Sequence, residues 1–420
     1  MLSVLGASSI GILIFGTLIW KLLIEHPKVN EAQIISQIRE KKQNFEWMKT
    51  LGKHLKYVPF ENAPTEISVR QEGKNWLLDL TLDPRLQKFI NEKLRMYRVD
   101  WGAVTIVNPK TGEVLALASH SEKEPQANNL SLTATFPAAS IFKVITAAAA
   151  IQENSFERNS TIRFSGSARY VPRRGLLEKN GRTSMTVAEA FAKSANAVFA
   201  KLGAQAGASL LLMYAERFGF NQAVPFEVFV ESSKAVIPTS NDPLDEGRTA
   251  AGFGDVTLSP LHGALIAGAA VNDGKIMEPY LVRHVVNDDG TTRFYREPRV
   301  WESPMSPSTA SEIRIMMSKT VTQGTARKGF RHLEHDAVLG RLDLGGKTGS
   351  LTGKNPPGKN EWFVGYARGH EKTIAIGIVL VSEKYWRIKP SELSKEIFRF
   401  YFSSKKRSEE LALIDQNTNG

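Results

Sequence analysis

No cysteine occurs in the 420-residue chain. Disulfides, thiol nucleophiles and cysteine-ligated metals are thereby excluded, and the composition suits an oxidising compartment. No internal repeat is present, which excludes a solenoid or propeller array, and no low-complexity tract exceeds the short alanine-rich run at 144–151. Charge is also missing over a long stretch, because no residue from Leu2 to Trp20 is charged and Leu, Ile, Val and Phe dominate it. Rising as a helix, that stretch comes close to a hydrocarbon layer of ~30 Å. The basic segment that precedes the apolar part of a signal peptide is absent, as is a small-residue cleavage site after it. Residues 1–24 therefore read as an uncleaved transmembrane anchor.

What is there is otherwise ordinary for a folded protein: 42% hydrophobic and 23% charged residues, enough for a sizeable core. The net charge of +11 suits an anionic partner such as nucleic acid, anionic lipid or an acidic wall polymer, or simply a solvated basic face. Ile34, Ile38, Phe45, Met48, Leu51 and Leu55 recur at helical spacing after a capping Asn30. Residues 57–73, with Pro59 and Pro64, read as a linker. Residues 25–75 are thus expected to form a juxtamembrane helix and linker, with the domain proper spanning 76–402.

Within that domain an amphipathic helix is expected at 84–97. Apolar runs at 103–107 and 114–118 bracket a Pro/Gly turn, a hairpin signal. From Ser140 to Phe330 the pattern is mostly helical. Strand patterns return at 344–351, 361–367 and 373–381, the last rich in Ile and Val. Residues 390–402 read as a closing helix and 403–420 as a disordered polar tail. The order implies an α/β (α+β) fold: a five-stranded antiparallel sheet built from 101–119 and 343–382, flanked by N- and C-terminal helices, with an all-helical insert over 140–330.

Three short segments carry chemistry. Ser140 and Lys143 are three apart, so on a helix they share a face. A serine at a helix N-terminus sits in the positive end of the dipole, and a desolvated lysine one turn on has a lowered pKa and accepts the serine proton. The same spacing recurs in the tail at Ser403 and Lys406, where it reads as chance. Ser194 and Asn196 lie between apolar residues, either as a loop that satisfies its own backbone or as a second wall of a cleft. Lys347-Thr-Gly349 sits in an expected strand, where glycine marks close approach by a ligand. Its twin Lys110-Thr-Gly112 sits in the expected hairpin turn, where turn geometry explains the glycine.

Ser-x-x-Lys, Ser-x-Asn and Lys-Thr-Gly in this order resemble the penicillin-binding proteins and serine β-lactamases. The likeness covers roughly 76–402 and includes Phe136-Pro-Ala-Ala-Ser-Ile-Phe-Lys143, Thr257-Leu-Ser-Pro-Leu-His262 and Glu361-Trp-Phe-Val-Gly-Tyr366. The resemblance implies the D,D-peptidase fold and a role for each matching residue. Ser140 would be the nucleophile toward a D-Ala-D-Ala stem and Lys143 its base. Ser194 would relay the proton to the leaving D-alanine, and Asn196 would bind the substrate amide. Lys347 would supply charge, Thr348 and Ser350 would offer hydroxyls to the terminal carboxylate, and Gly349 would lie among the substrate-binding residues. The backbone N–H groups of Ser140 and Ser350 would form the oxyanion hole, worth ~3–4 kcal/mol per donor. The ligands implied are peptidoglycan stem peptides and β-lactams, with the bacterial cytoplasmic membrane as support, and no nucleic acid, metal or organic cofactor.

Asn196 at the Ser-x-Asn position disfavours class D β-lactamases, and no Glu-x-x-Leu-Asn segment supplies a class A deacylating glutamate. Only about 50 residues separate the anchor from the domain, too few for a glycosyltransferase domain or a large pedestal. A membrane-anchored D,D-transpeptidase ranks first, then a D,D-carboxypeptidase, then a β-lactamase. A β-lactam sensor or non-catalytic scaffold is the alternative from another class. Wall cross-linking places the domain on the outer side of the membrane, although the positive charge after Trp20 alone favours the reverse.

Overall fold

The computed structural model describes residues 47, 50–55 and 62–403, except 128, 172–175, 177–179, 239 and 241. The expected anchor at 1–24 lies outside the described residues, as does the expected tail at 403–420 apart from Ser403, which is helical rather than disordered. Of the expected juxtamembrane helix, residues 50–55 are described and are helical.

The described residues from 62 to 403 form one compact unit. Its centre is an antiparallel sheet of five strands: β1 (Trp101–Val107), β2 (Val114–His120), β3 (Asp343–Lys354), β4 (Pro357–Arg368) and β5 (Thr373–Ser382). The spatial order is β3-β4-β5-β1-β2, so chain ends far apart in sequence meet where β5 pairs with β1, Ile376 opposite Ile106. Every residue of β1 is buried and β5 is buried from Ile374 to Val381, because helices cover both faces.

One face carries helix α1 (Pro84–Met96) and the closing helix α8 (390–403). Leu86, Ile90 and Leu94 of α1 recur every turn and enter one core with Val104, Ile106, Ile376, Ile378, Leu393 and Ile397. Asp83 caps α1 by accepting from the N–H groups of Arg85 and Leu86, and Pro84 stands at the first helical position. The other face carries α6 (Pro260–Ala269), packed so closely on β5 that a Cβ at Gly377 would lie 2.0 Å from the Pro260 carbonyl oxygen.

The remaining helices lie between β2 and β3: α2 (Lys143–Glu153), α3 (Val187–Ala192), α4 (Asn196–Arg217), α5 (Pro243–Ala250) and α7 (Pro307–Thr322). Two expectations need correction. The insert is not all helical, because short strands pair at Thr161–Phe164 with Thr183–Thr186, at Ala235–Val236 with Asp255–Leu258, and at Ile276–Met277 with Val300–Glu302. The stretch expected to be linker also contains the strand Glu66–Gln71, which pairs with Lys74–Leu80; that strand in turn pairs with Val282–Asn287. Strands of two to seven residues leave little local periodicity, and of these only the Lys74–Leu80 pairing with Val282–Asn287 joins remote segments. Among the described residues α4 alone is long and apolar enough to cross a membrane, but it packs within the domain and its first residue is Asn196.

Candidate active site

The apolar segment 136–143 brings Ser140 to the edge of the sheet. Phe136 and Pro137 pair with Leu258 and Thr257, and the Trp362 indole N–H of β4 donates to the Pro137 carbonyl at 2.9 Å. The chain then makes a tight turn, Ala139–Phe142, that runs straight into α2. Ala139 has φ +50°, a left-handed conformation uncommon for a residue with a side chain. That turn rests on β3: a Cβ at Gly349 would lie 3.3 Å from the Ala138 oxygen, the Ala139 Cβ and the Ile141 Cδ1. Glycine at 349 therefore lets the turn that carries Ser140 lie against the strand.

Lys143 is fully buried one turn beyond Ser140. Its Nζ lies 2.7 Å from Ser140 Oγ, 2.8 Å from Asn196 Oδ1 and 2.7 Å from the Ala251 carbonyl oxygen. Burial, and secondarily the charge of Lys347, hold its pKa well below the ordinary lysine value. A neutral amine keeps two N–H bonds. The Asn196 and Ala251 oxygens accept those two, so the lone pair is left facing the Ser140 hydroxyl. This is the arrangement a general base requires.

Ser194 sits between α3 and α4 with φ +55°, a second strained residue at the site. Its hydroxyl accepts from Lys347 Nζ at 3.0 Å, and Lys347 also donates to the Thr348 carbonyl at 2.8 Å. Lys347 is fully buried, and desolvation brings its pKa down to about 7. The apolar residues flanking Ser194 have a use: the Phe191 ring lies 5.7 Å from Lys347 Nζ and the Phe199 ring 5.7 Å from Lys143 Nζ. Asn196 Nδ2 donates one hydrogen to the Arg169 carbonyl and keeps a second for a ligand.

Ser140, Ser194, Asn196, Thr348, Gly349 and Ser350 all line one cleft of about 610 Å³, with Lys347 buried beneath it at Ser194. β3 is the edge strand of the sheet, so its outer side is free to face this cleft. All eight residues singled out from the sequence thus converge.

The transpeptidase domain of the penicillin-binding proteins, as a family, matches residues 102–401. The chain belongs to this family. Peptidoglycan D,D-transpeptidase PbpA of Mycobacterium tuberculosis is 28% identical over 344 residues, covering 72% of this chain and 67% of PbpA. Stage V sporulation protein D of Bacillus subtilis is 26% identical over 332 residues, covering 73% of this chain and 50% of that protein. Among solved structures, the D,D-transpeptidase domain of a peptidoglycan glycosyltransferase from Eggerthella lenta superposes with a TM-score of 0.64 at 25% identity, covering 79% of this chain and 83% of that one. The ceftriaxone acyl-enzyme of penicillin-binding protein A from M. tuberculosis gives 0.63 at 25%, covering 77% and 78%.

Several features of this transpeptidase-family site were not anticipated. Thr325 shares a short hydrogen bond with the Thr348 hydroxyl. The Ala251 carbonyl accepts from Lys143 Nζ. Neither has a sequence signal, since every residue carries a carbonyl and threonines are common. At Gly345 and Gly346, just before Lys347, a Cβ would strike a ring of β4, Tyr366 at 2.5 Å or Phe363 at 2.3 Å. They make room for aromatic side chains. Lys110 is exposed in the β1–β2 turn, where Gly112 has φ +91° and donates to the Asn108 carbonyl. Ser403 ends α8, and Lys406 lies outside the described residues.

The lysine pair makes a pH prediction. With Lys143 as the expected base, acylation would need it neutral, so the rate should fall as pH drops through that lysine's depressed pKa. Lys347→Met removes a like charge that lowers the pKa of Lys143. The acidic limb of the acylation–pH profile should therefore move to higher pH, whatever happens to the maximum rate. Stopped-flow penicillin acylation across pH checks this, and a limb that stays put or moves lower contradicts the coupling.

Proposed function

We propose that this chain is a membrane-anchored D,D-transpeptidase that cross-links peptidoglycan stem peptides through an acyl-enzyme on Ser140. The observation that carries the reading is the buried Lys143, held by two carbonyl oxygens with its third position 2.7 Å from the Ser140 hydroxyl. Lys143 takes the hydroxyl proton as Oγ bonds to the penultimate D-alanine carbonyl. The N–H groups of Ser140 and Ser350 receive the oxyanion. Ser194, poised by Lys347, passes the proton to the departing D-alanine amine as the C–N bond breaks. The second Asn196 amide hydrogen holds the stem peptide, and the terminal carboxylate meets Lys347, Thr348 and Ser350 alongside Gly349. An acceptor amine then attacks the ester, forms the new amide and returns the proton to Ser140.

β-Lactams enter the same path and stop at the ester, as in the acyl-enzyme complexes of the M. tuberculosis relative. Residues 1–24 serve as a single-pass anchor, 25–75 connect it, and the catalytic domain to residue 402 lies on the outer side of the cytoplasmic membrane. Incubation with a D-Ala-D-Ala stem peptide, with and without an acceptor amine, followed by mass spectrometry, tests the reading. A cross-linked product is expected. Hydrolysis alone, even with excess amine, would make the enzyme a carboxypeptidase.

A further inference from the structure

We propose that Lys328 and Arg331 are specificity residues that select stem peptides carrying a free side-chain carboxylate in addition to the terminal one. The inference rests on the proposed function, since it concerns the substrate of the same cleft.

Both residues line the cleft that contains Ser140. They stand on the turn between α7 and β3, which is held from beneath. Ala326 and Phe330 are buried, and the Phe330 ring lies 5.6 Å from Phe363 of β4 and 6.4 Å from Phe398 of α8. Thr325 N–H donates to the Ala192 carbonyl at 3.0 Å, and its hydroxyl pairs with Thr348. A Cβ at Gly329 would lie 2.6 Å from Ser391 Oγ, so the turn also lies tight against α8. The turn therefore presents its two cations from a fixed base, beside the strand expected to hold the substrate. Pre-organised charge of this kind costs little ordering on binding.

The two cations also lack acidic partners among the described residues. Among the described residues neither Lys328 nor Arg331 forms an ion pair, and the Arg331 side chain donates only through Nε, to the Lys328 carbonyl at 3.0 Å. The third cation of the wall, Lys389, is already committed to Glu361 at 2.6 and 2.8 Å. The other wall carboxylate, Glu392, accepts from the Lys389 backbone N–H. An anion entering the cleft thus meets two unpaired positive charges beside the terminal-carboxylate site. In the same cleft Ser140, Ser194 and Asn196 fix where the scissile bond lies, so a second carboxylate on the stem is the group that would meet the two cations. Complementary charge of this sort acts chiefly on specificity and association.

The test uses the full chain and two D-Ala-D-Ala peptides identical except that one side-chain carboxyl is free or converted to a carboxamide. The free acid should be favoured in kcat/KM by about five-fold or more, as expected for two partly exposed charge pairs, and the preference should shrink as salt is raised. In the Lys328→Gln/Arg331→Gln double variant the two peptides should react alike, while the Lys328→Arg/Arg331→Lys swap should keep the preference. Equal rates with the wild type, or a preference that survives the double glutamine variant, overturn the inference. A wild type that forms no penicillin ester on Ser140 overturns the proposed function and this inference with it. An ester without carboxyl preference overturns only the inference.

Discussion

Ser140→Ala should leave no covalent penicillin adduct under conditions that label the wild type to completion. The expectation is absolute because no other described hydroxyl has the same support. Ser194 is strained and hydrogen-bonded to Lys347, but among the described residues the three-oxygen cradle around a buried lysine exists only at Lys143. Ser140 itself sits on a turn that the Trp362–Pro137 hydrogen bond and the Gly349 contact hold against β3. Removing one oxygen from the cleft wall disturbs none of those contacts, so the variant should fold and melt as the wild type does. Digestion and mass spectrometry of labelled protein provide the check. Label retained in Ser140→Ala, on any residue, would refute the nucleophile assignment.

Replacing Lys143 with methionine should slow acylation by ~100-fold or more, the usual scale for a lost general base. Methionine approximates the lysine stem in length and is at home in a buried site. It cannot accept the Ser140 proton, and it leaves the Asn196 and Ala251 oxygens without their donor. Part of the loss would thus come from a less ordered Asn196. An upper bound on that part is measurable: Asn196→Ala removes the whole amide, including its bond to Lys143 and its ligand hydrogen, and should still cost less than Lys143→Met. Lys110→Ala is the matched control, because its amine stands in the exposed β1–β2 turn and should leave the rate unchanged. Single-turnover acylation kinetics decide the matter, and an unaltered rate in Lys143→Met would remove this residue from the role of base. The two lysines also shape stability. Lys347 has a folded pKa near 7 against 10.5 for the free side chain. Between those values the unfolded chain binds more protons, so the contribution of this group to stability rises with pH across that window. Its burial is a cost at neutral pH.

The chemical inventory of this site was legible in one dimension. Ser140 and Lys143 share a helical face because of their spacing, and the copy at Lys347 was separable from the copy at Lys110 because one lies in an apolar strand run and the other in a Pro/Gly turn. The helices 84–96 and 390–403 and all five strands of the central sheet were likewise legible, since their apolar periodicity reflects burial on the faces they share. Periodicity is a local signal, and it failed where structure is made by remote partners. The strand Glu66–Gln71 belongs to a sheet completed near residue 285, and the short strands of the insert depend on one another. Which atoms surround the Lys143 amine was equally hidden. The Ala251 carbonyl comes from 108 residues away, and the desolvation that lowers both lysine pKa values exists only once Phe191, Phe199 and the sheet edge have closed around them. Residue order specifies which groups are available and which faces they share along one element. Proton affinity depends on the dielectric and the charges that surround a group in space, and those arise only when distant segments pack together.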